Sequence, residues 1–79
     1  MLQNSIQKKP AGLAPDPYQT LIDNHEADLR SGTTRKYREK LVREGKFPKP
    51  VKIGPRSVRY VLGEVLDWVE ERKAQREAS

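Results

Sequence analysis

The run from Gly45 to Tyr60, Gly-Lys-Phe-Pro-Lys-Pro-Val-Lys-Ile-Gly-Pro-Arg-Ser-Val-Arg-Tyr, constrains the fold more than any other part of the chain. A glycine after Glu44 suits the left-handed position that ends a helix. Pro48 and Pro50 hold the next residues extended and remove two backbone donors. Two alternating runs follow. Val51 and Ile53 share one face with Lys52 on the other, and Val58 and Tyr60 face inward with Arg59 outward. Gly54-Pro55-Arg56 between them is turn chemistry. A lone hairpin is marginal in water, so this ribbon needs helices from the flanking sequence under its apolar face.

Seventy-nine residues make one small domain with little stability to spare. Its net charge of +5 is unevenly placed. From Arg30 to Tyr60 eleven Lys/Arg stand against Glu39 and Glu44, a local +9, while each flank carries −2. Such a patch attracts polyanions. With no cysteine there is no disulfide framework and no thiolate metal site. No stretch approaches the roughly 20 apolar residues that cross a bilayer, and Met1 to Pro10 has no signal-like apolar run, so a cytoplasmic protein is expected.

The expected organisation is a flexible arm over residues 1–17, a folded domain over 18–76 and a short tail at 77–79. Leu21 and Ile22 begin the core. Asp23 and Glu26 have capping-box spacing, which starts a first helix ending near Ser31. Thr33 or Thr34 caps a second helix that runs to Glu44, with Tyr37, Leu41 and Val42 as its buried stripe. Leu62, Val65, Leu66 and Val69 repeat at helical spacing in a third helix that reaches about Gln75, with Trp68 at the edge of the stripe as a core residue. The fold class is α+β, mostly α: two short helices, a two-stranded β-wing and a C-terminal helix, arranged as a small winged helix-turn-helix domain.

Enzymatic constellations are missing. His25, the single histidine, lies in a helical first turn with no second ligand near it in sequence, and Glu70 and Glu71 are neighbours on a solvated face. Neither catalysis, a metal, a cofactor nor a small-molecule substrate is expected. Arg35 and Lys36 oppose the helix macrodipole at the start of the second helix, so stability does not explain them, whereas contact with phosphate or bases does. Candidate DNA contacts on this helix are Thr33, Thr34, Arg35, Lys36, Arg38 and Lys40. On the wing they are Lys52, Arg56, Ser57 and Arg59, and Arg43, Lys46 and Lys49 add phosphate contacts.

Gly32, the Thr34-Arg35 helix start, the whole run Leu41 to Tyr60, Glu64-Val65 and Trp68 together resemble the AlpA-like group of phage and prophage regulators. That group belongs with the excisionases and the wider MerR-like winged helix-turn-helix proteins, and the resemblance spans about Leu21 to Arg72. It implies a bacterial, nucleoid-associated protein that binds double-stranded DNA. Its expected role is that of an excisionase, or recombination directionality factor, bending attachment-site DNA for a tyrosine-type integrase, with head-to-tail self-association on the DNA. The alternative within the group is a promoter-binding transcriptional regulator; an alternative of another class is a protein-interaction adaptor. Three departures from the group's pattern stand out. Arg38 and Glu39 stand where apolar or aromatic residues are usual, which shifts their packing role to Tyr37. Gly63 replaces the serine that commonly starts the last helix. The first helix carries Asp28, Arg30 and Ser31 where apolar residues are common.

Overall fold

A computed structural model describes residues 16–78, with side chains described to residue 76. Residues 1–15 of the expected arm lie outside the described residues, while Asp16 caps a 3₁₀ turn, Pro17–Gln19, by accepting from the Tyr18 N–H. There follow β1 (Leu21–Ile22), α1 (Asn24–Ser31), α2 (Arg35–Arg43), β2 (Val51–Gly54), β3 (Ser57–Val61) and α3 (Leu62–Ala78). The α+β winged helix-turn-helix reading holds, with one addition: the sheet has three antiparallel strands in the order β1-β3-β2.

Local chemistry sets the helix ends. The Asp23 carboxylate accepts from the Glu26 N–H at 2.9 Å, and α1 stops at Gly32, whose φ of 69° is left-handed. Glu26 does not complete a capping box; it accepts instead from Arg30 Nε at 2.8 Å, one turn ahead. Thr34 caps α2 by accepting from the Tyr37 N–H. The helix closes in a Schellman motif around Gly45 (φ 73°): the Lys46 N–H reaches the Leu41 carbonyl and the Gly45 N–H that of Val42.

The core comprises Ile22, Ala27, Leu41, Phe47, Tyr60 and Val65, with Val42, Leu62 and Trp68 packed against it. Phe47 meets Tyr60 edge to face, with ring centroids 5.5 Å apart, and Trp68 at 4.9 Å. The indole N–H of Trp68 donates to the Lys46 carbonyl at 2.7 Å, so α3 clamps the connector that leads into the wing. Leu66, expected in the stripe of α3, is exposed.

Strand β3 passes into α3 without a loop, and the Leu62 N–H donates to the Thr20 carbonyl. Gly63 is the second residue of α3, and its side is occupied by a neighbour. The Tyr18 ring lies so close that a Cβ at Gly63 would be 2.4 Å from Cδ1 and 2.5 Å from Cε1, and the Tyr18 hydroxyl donates to the Asp67 carboxylate at 2.9 Å. Glycine is therefore what lets the 3₁₀ turn seat on the first turns of α3.

The ribbon's apolar alternation does not translate into burial as expected. Residues paired across an antiparallel ladder point to the same face. Val51 pairs with Arg59 and Lys52 with Val58, while Tyr60 pairs with Ile22 in the core. Val51 and Ile53 thus lie on the face away from the helices and are 39% and 50% exposed. An irregularity in the register between Lys52 and Gly54 sits beside the wing turn.

Candidate nucleic-acid interface

The rotation of α2 about its axis decides which of its cations face outward. At 100° per residue, Arg38, Leu41 and Val42 share one side. Leu41 and Val42 pack in or on the core, and Arg38 is 0% exposed. Tyr37, the expected core residue, is instead 49% exposed. The expectation that Arg38 contacts DNA is corrected accordingly. Its guanidinium is consumed inside the protein: Nη1 donates to Asp28 Oδ1 (2.5 Å) and to the Thr33 carbonyl and hydroxyl, and Nη2 donates to the Asn24 carbonyl and Oδ1. The same group lies over the Tyr60 ring, 5.4 Å from its centroid.

The opposite side of α2 carries Lys36, Lys40 and Arg43, at i, i+4 and i+7, all exposed. Arg35 is exposed beside them and bridges to Glu39 at 3.2 Å, a surface pair of little energetic weight that leaves its other nitrogens for a partner. Thr34 is exposed, with its hydroxyl committed to the cap. Thr33 is half-buried, its hydroxyl held by Ser31 Oγ and Arg38. No acidic residue stands in the first turn of α2, so its positive end is reinforced by Arg35 and Lys36.

On the wing, Lys52, Arg56 and Ser57 are exposed, with Arg56 in the turn. Arg59 is half-buried and donates from Nη1 to the Val58 carbonyl. Because of the register, Lys52 and Arg59 project from opposite faces of the ribbon. Lys46 and Lys49 are exposed on the connector, Lys46 with Glu44 at 3.6 Å. The structure thus gathers Lys36, Lys40 and Arg43 on one helical face, puts Arg56 at the wing tip, and separates Lys52 from Arg59. His25 is exposed, and no group of three or more metal-ligating side chains occurs among the described residues. No described helix is long and apolar enough to cross a membrane.

A basic outer face on the second helix of a helix-turn-helix, followed at once by a stiff connector and a cationic ribbon, is a nucleic-acid-binding arrangement. Residues 35–73 match the family model described as prophage CP4-57 regulatory protein (AlpA). Over that span, 39 of the 79 residues, the chain is similar to the AlpA family. No curated protein and no solved structure matches it. The AlpA match runs from the first residue of α2 through the whole wing to Lys73 in α3, so the basic face of α2, the wing and the Trp68 clamp all lie within it. The 3₁₀ turn, β1 and α1 lie outside it, and with them Asp28 and Asn24, the partners that hold Arg38. The match supports an AlpA-like, phage-associated, DNA-binding regulator in class.

Proposed function

We propose that this AlpA-like protein is an excisionase, a recombination directionality factor that binds and bends attachment-site DNA so that a tyrosine-type integrase excises a mobile element. The observation that carries the reading is the outward row Lys36, Lys40 and Arg43, set opposite the buried Arg38. The nine residues of α2 extend about 14 Å, a length that fits the width of a B-DNA major groove. Thr34 and Arg35 at its amino end are offered to base edges, and Lys36, Lys40 and Arg43 to bases and phosphates. Arg56 reaches the adjacent minor groove, with Lys52, Ser57 and Arg59 along the ribbon and Lys46 and Lys49 on flanking phosphates. Arg38 leaves the contact set, and Tyr37 joins the exposed surface beside it. Copies bound head to tail on adjacent sites provide cooperativity, and the protein works on the bacterial nucleoid.

Affinity built on these cations is salt-dependent, with about 0.9 unit of slope per phosphate contact. Lys40→Ala is expected to weaken binding to specific and scrambled duplex alike and to flatten the salt slope by about one unit. An unchanged slope would remove the outer face of α2 from the interface. Bending is tested by circular permutation of the bound site in a native gel; unbent complexes would rule out the architectural role. The matched family's description as a regulatory protein favours a second reading, promoter binding through the same surface. Excision that proceeds normally in a deletion strain, together with altered transcription from an occupied promoter, would establish it over the first.

A further inference from the structure

Among the described residues Arg38 is the one charged side chain in the buried interior, and its surroundings are not those that best stabilise a fold. Its single counter-charge, Asp28, is 42% exposed, and its Nε is buried with no hydrogen-bond partner. Replacing buried ion pairs with apolar residues of similar volume is often neutral or stabilising, so an apolar side chain here would serve stability at least as well. What an apolar side chain could not do is fix orientation. One planar guanidinium touches α1 near its start (Asn24), α1 at mid-length (Asp28) and the linker between the helices (Thr33), while its own backbone belongs to α2. These directional bonds set both the crossing angle of α1 and α2 and the rotation of α2 about its axis; the Tyr60 ring supports the group from the sheet side.

We infer that Arg38 is a positioning residue for DNA recognition: buried and untouched by DNA, it locks α2 against α1 so that Lys36, Lys40 and Arg43 meet the groove at one fixed angle. This rests on the DNA-binding function proposed above. Affinity for phosphates tolerates a loose helix because charge attraction has little directionality, but discrimination between sequences requires base-reading groups held to within fractions of an ångström. Loss of Arg38 therefore erodes specificity selectively.

The test uses the full chain and a duplex selected by the wild-type protein from a randomised pool, with a shuffled duplex of the same composition as reference. Arg38→Met is expected to stay folded by circular dichroism, with a thermal midpoint near or above that of the wild type. It should keep its affinity for shuffled duplex and its salt slope, and lose about tenfold in the ratio of selected to shuffled binding, equivalent to about 1.4 kcal/mol. Residual dipolar couplings of the free protein should report a reorientation of α2 relative to α1 of about 15°, the scatter within helix-packing classes. An unchanged interhelical angle overturns the inference whatever happens to binding, as does a selectivity ratio within twofold of wild type. If Arg38→Met does not fold, Asn24→Ala combined with Thr33→Val decides by the same two measurements, since it removes two side-chain acceptors and leaves the arginine in place. A wild type that does not discriminate between duplexes would refute the DNA-recognition function, and the interhelical angle would still decide the role of Arg38.

Discussion

Gly63→Ala is expected to destabilise the protein while Tyr18 is present and to stabilise it once Tyr18 is removed. An added Cβ would lie 2.4, 2.5 and 2.7 Å from three atoms of the Tyr18 ring, against the 3.5–4.0 Å of ordinary carbon contact, so the ring must retreat by about 1 Å. That retreat pulls the hydroxyl from the Asp67 carboxylate and lifts the 3₁₀ turn off α3. Forcing a methyl into such a contact costs about 1–3 kcal/mol. Against this, alanine in a helix is favoured over glycine by about 0.5–1 kcal/mol. The net in the intact protein is a loss of up to about 2.5 kcal/mol. In the Tyr18→Ala background the steric cost is absent and only the propensity gain remains, which raises the thermal midpoint by about 2–8 °C for a domain of this size. Urea unfolding of the four proteins of the cycle, followed by Trp68 fluorescence at constant m, reads the coupling directly. A Gly63→Ala effect of the same sign and size in both backgrounds would refute the claim that glycine is there to seat the tyrosine.

Three further outcomes follow from the structure. Gly45→Ala should cost about 1–2 kcal/mol in urea unfolding, because nothing lies within 4 Å of the added Cβ and the whole penalty is the left-handed φ of 73°; Gly45→Asn should cost less. Trp68→Phe should cost about 1 kcal/mol by thermal unfolding, since it strands the Lys46 carbonyl that accepts the indole N–H. The hydrogen bond to Asp67, partial desolvation and the negative charges of Asp67 and Asp16 raise the Tyr18 hydroxyl above the ordinary tyrosine value. A raised folded value means that the contribution is complete below about pH 10, the unfolded value, and disappears as pH climbs through the folded one. The difference in thermal midpoint between wild type and Tyr18→Phe should therefore be flat up to about pH 10 and shrink above it.

What could be read from the chain in advance was whatever local chemistry decides. Asp23, Gly32, Thr34 and Gly45 mark helix ends because each acts on backbone within a few residues of itself, and the prolines and turn residues between Phe47 and Ser57 announce a ribbon in the same way. Strand β1 carries no such mark. Two residues cannot show a period of two, and Leu21-Ile22 becomes a strand only because Tyr60 and Val61 offer it an edge some 40 residues later. The faces of β2 depart from the alternation's expectation for a related reason. Alternation tells which residues go together, but which set faces the helices is fixed by pairing with β3 and by the irregularity after Lys52.

The candidate site divides along the same line. That α2 is basic needs only the composition; which cations it presents depends on Arg38, and hydropathy sorts an arginine outward unless its partners are known. Those partners, Asn24, Thr33 and Asp28, were visible as polar residues, two of them on a helix whose apolar content was too low to explain how it docks. The polar first helix and the arginine in the second helix are thus one feature. α1 buries Ala27 in the core and is tied to α2 through acceptors because α2 offers a donor, and the charge that looked like part of the DNA surface is spent on aiming the charges that remain there. A count of cations between Arg30 and Tyr60 therefore overstates the binding surface by at least one. The salt slope of specific binding should follow the exposed set on α2 and the wing, with Arg38→Met leaving it unmoved while Lys36→Ala and Lys40→Ala each lower it.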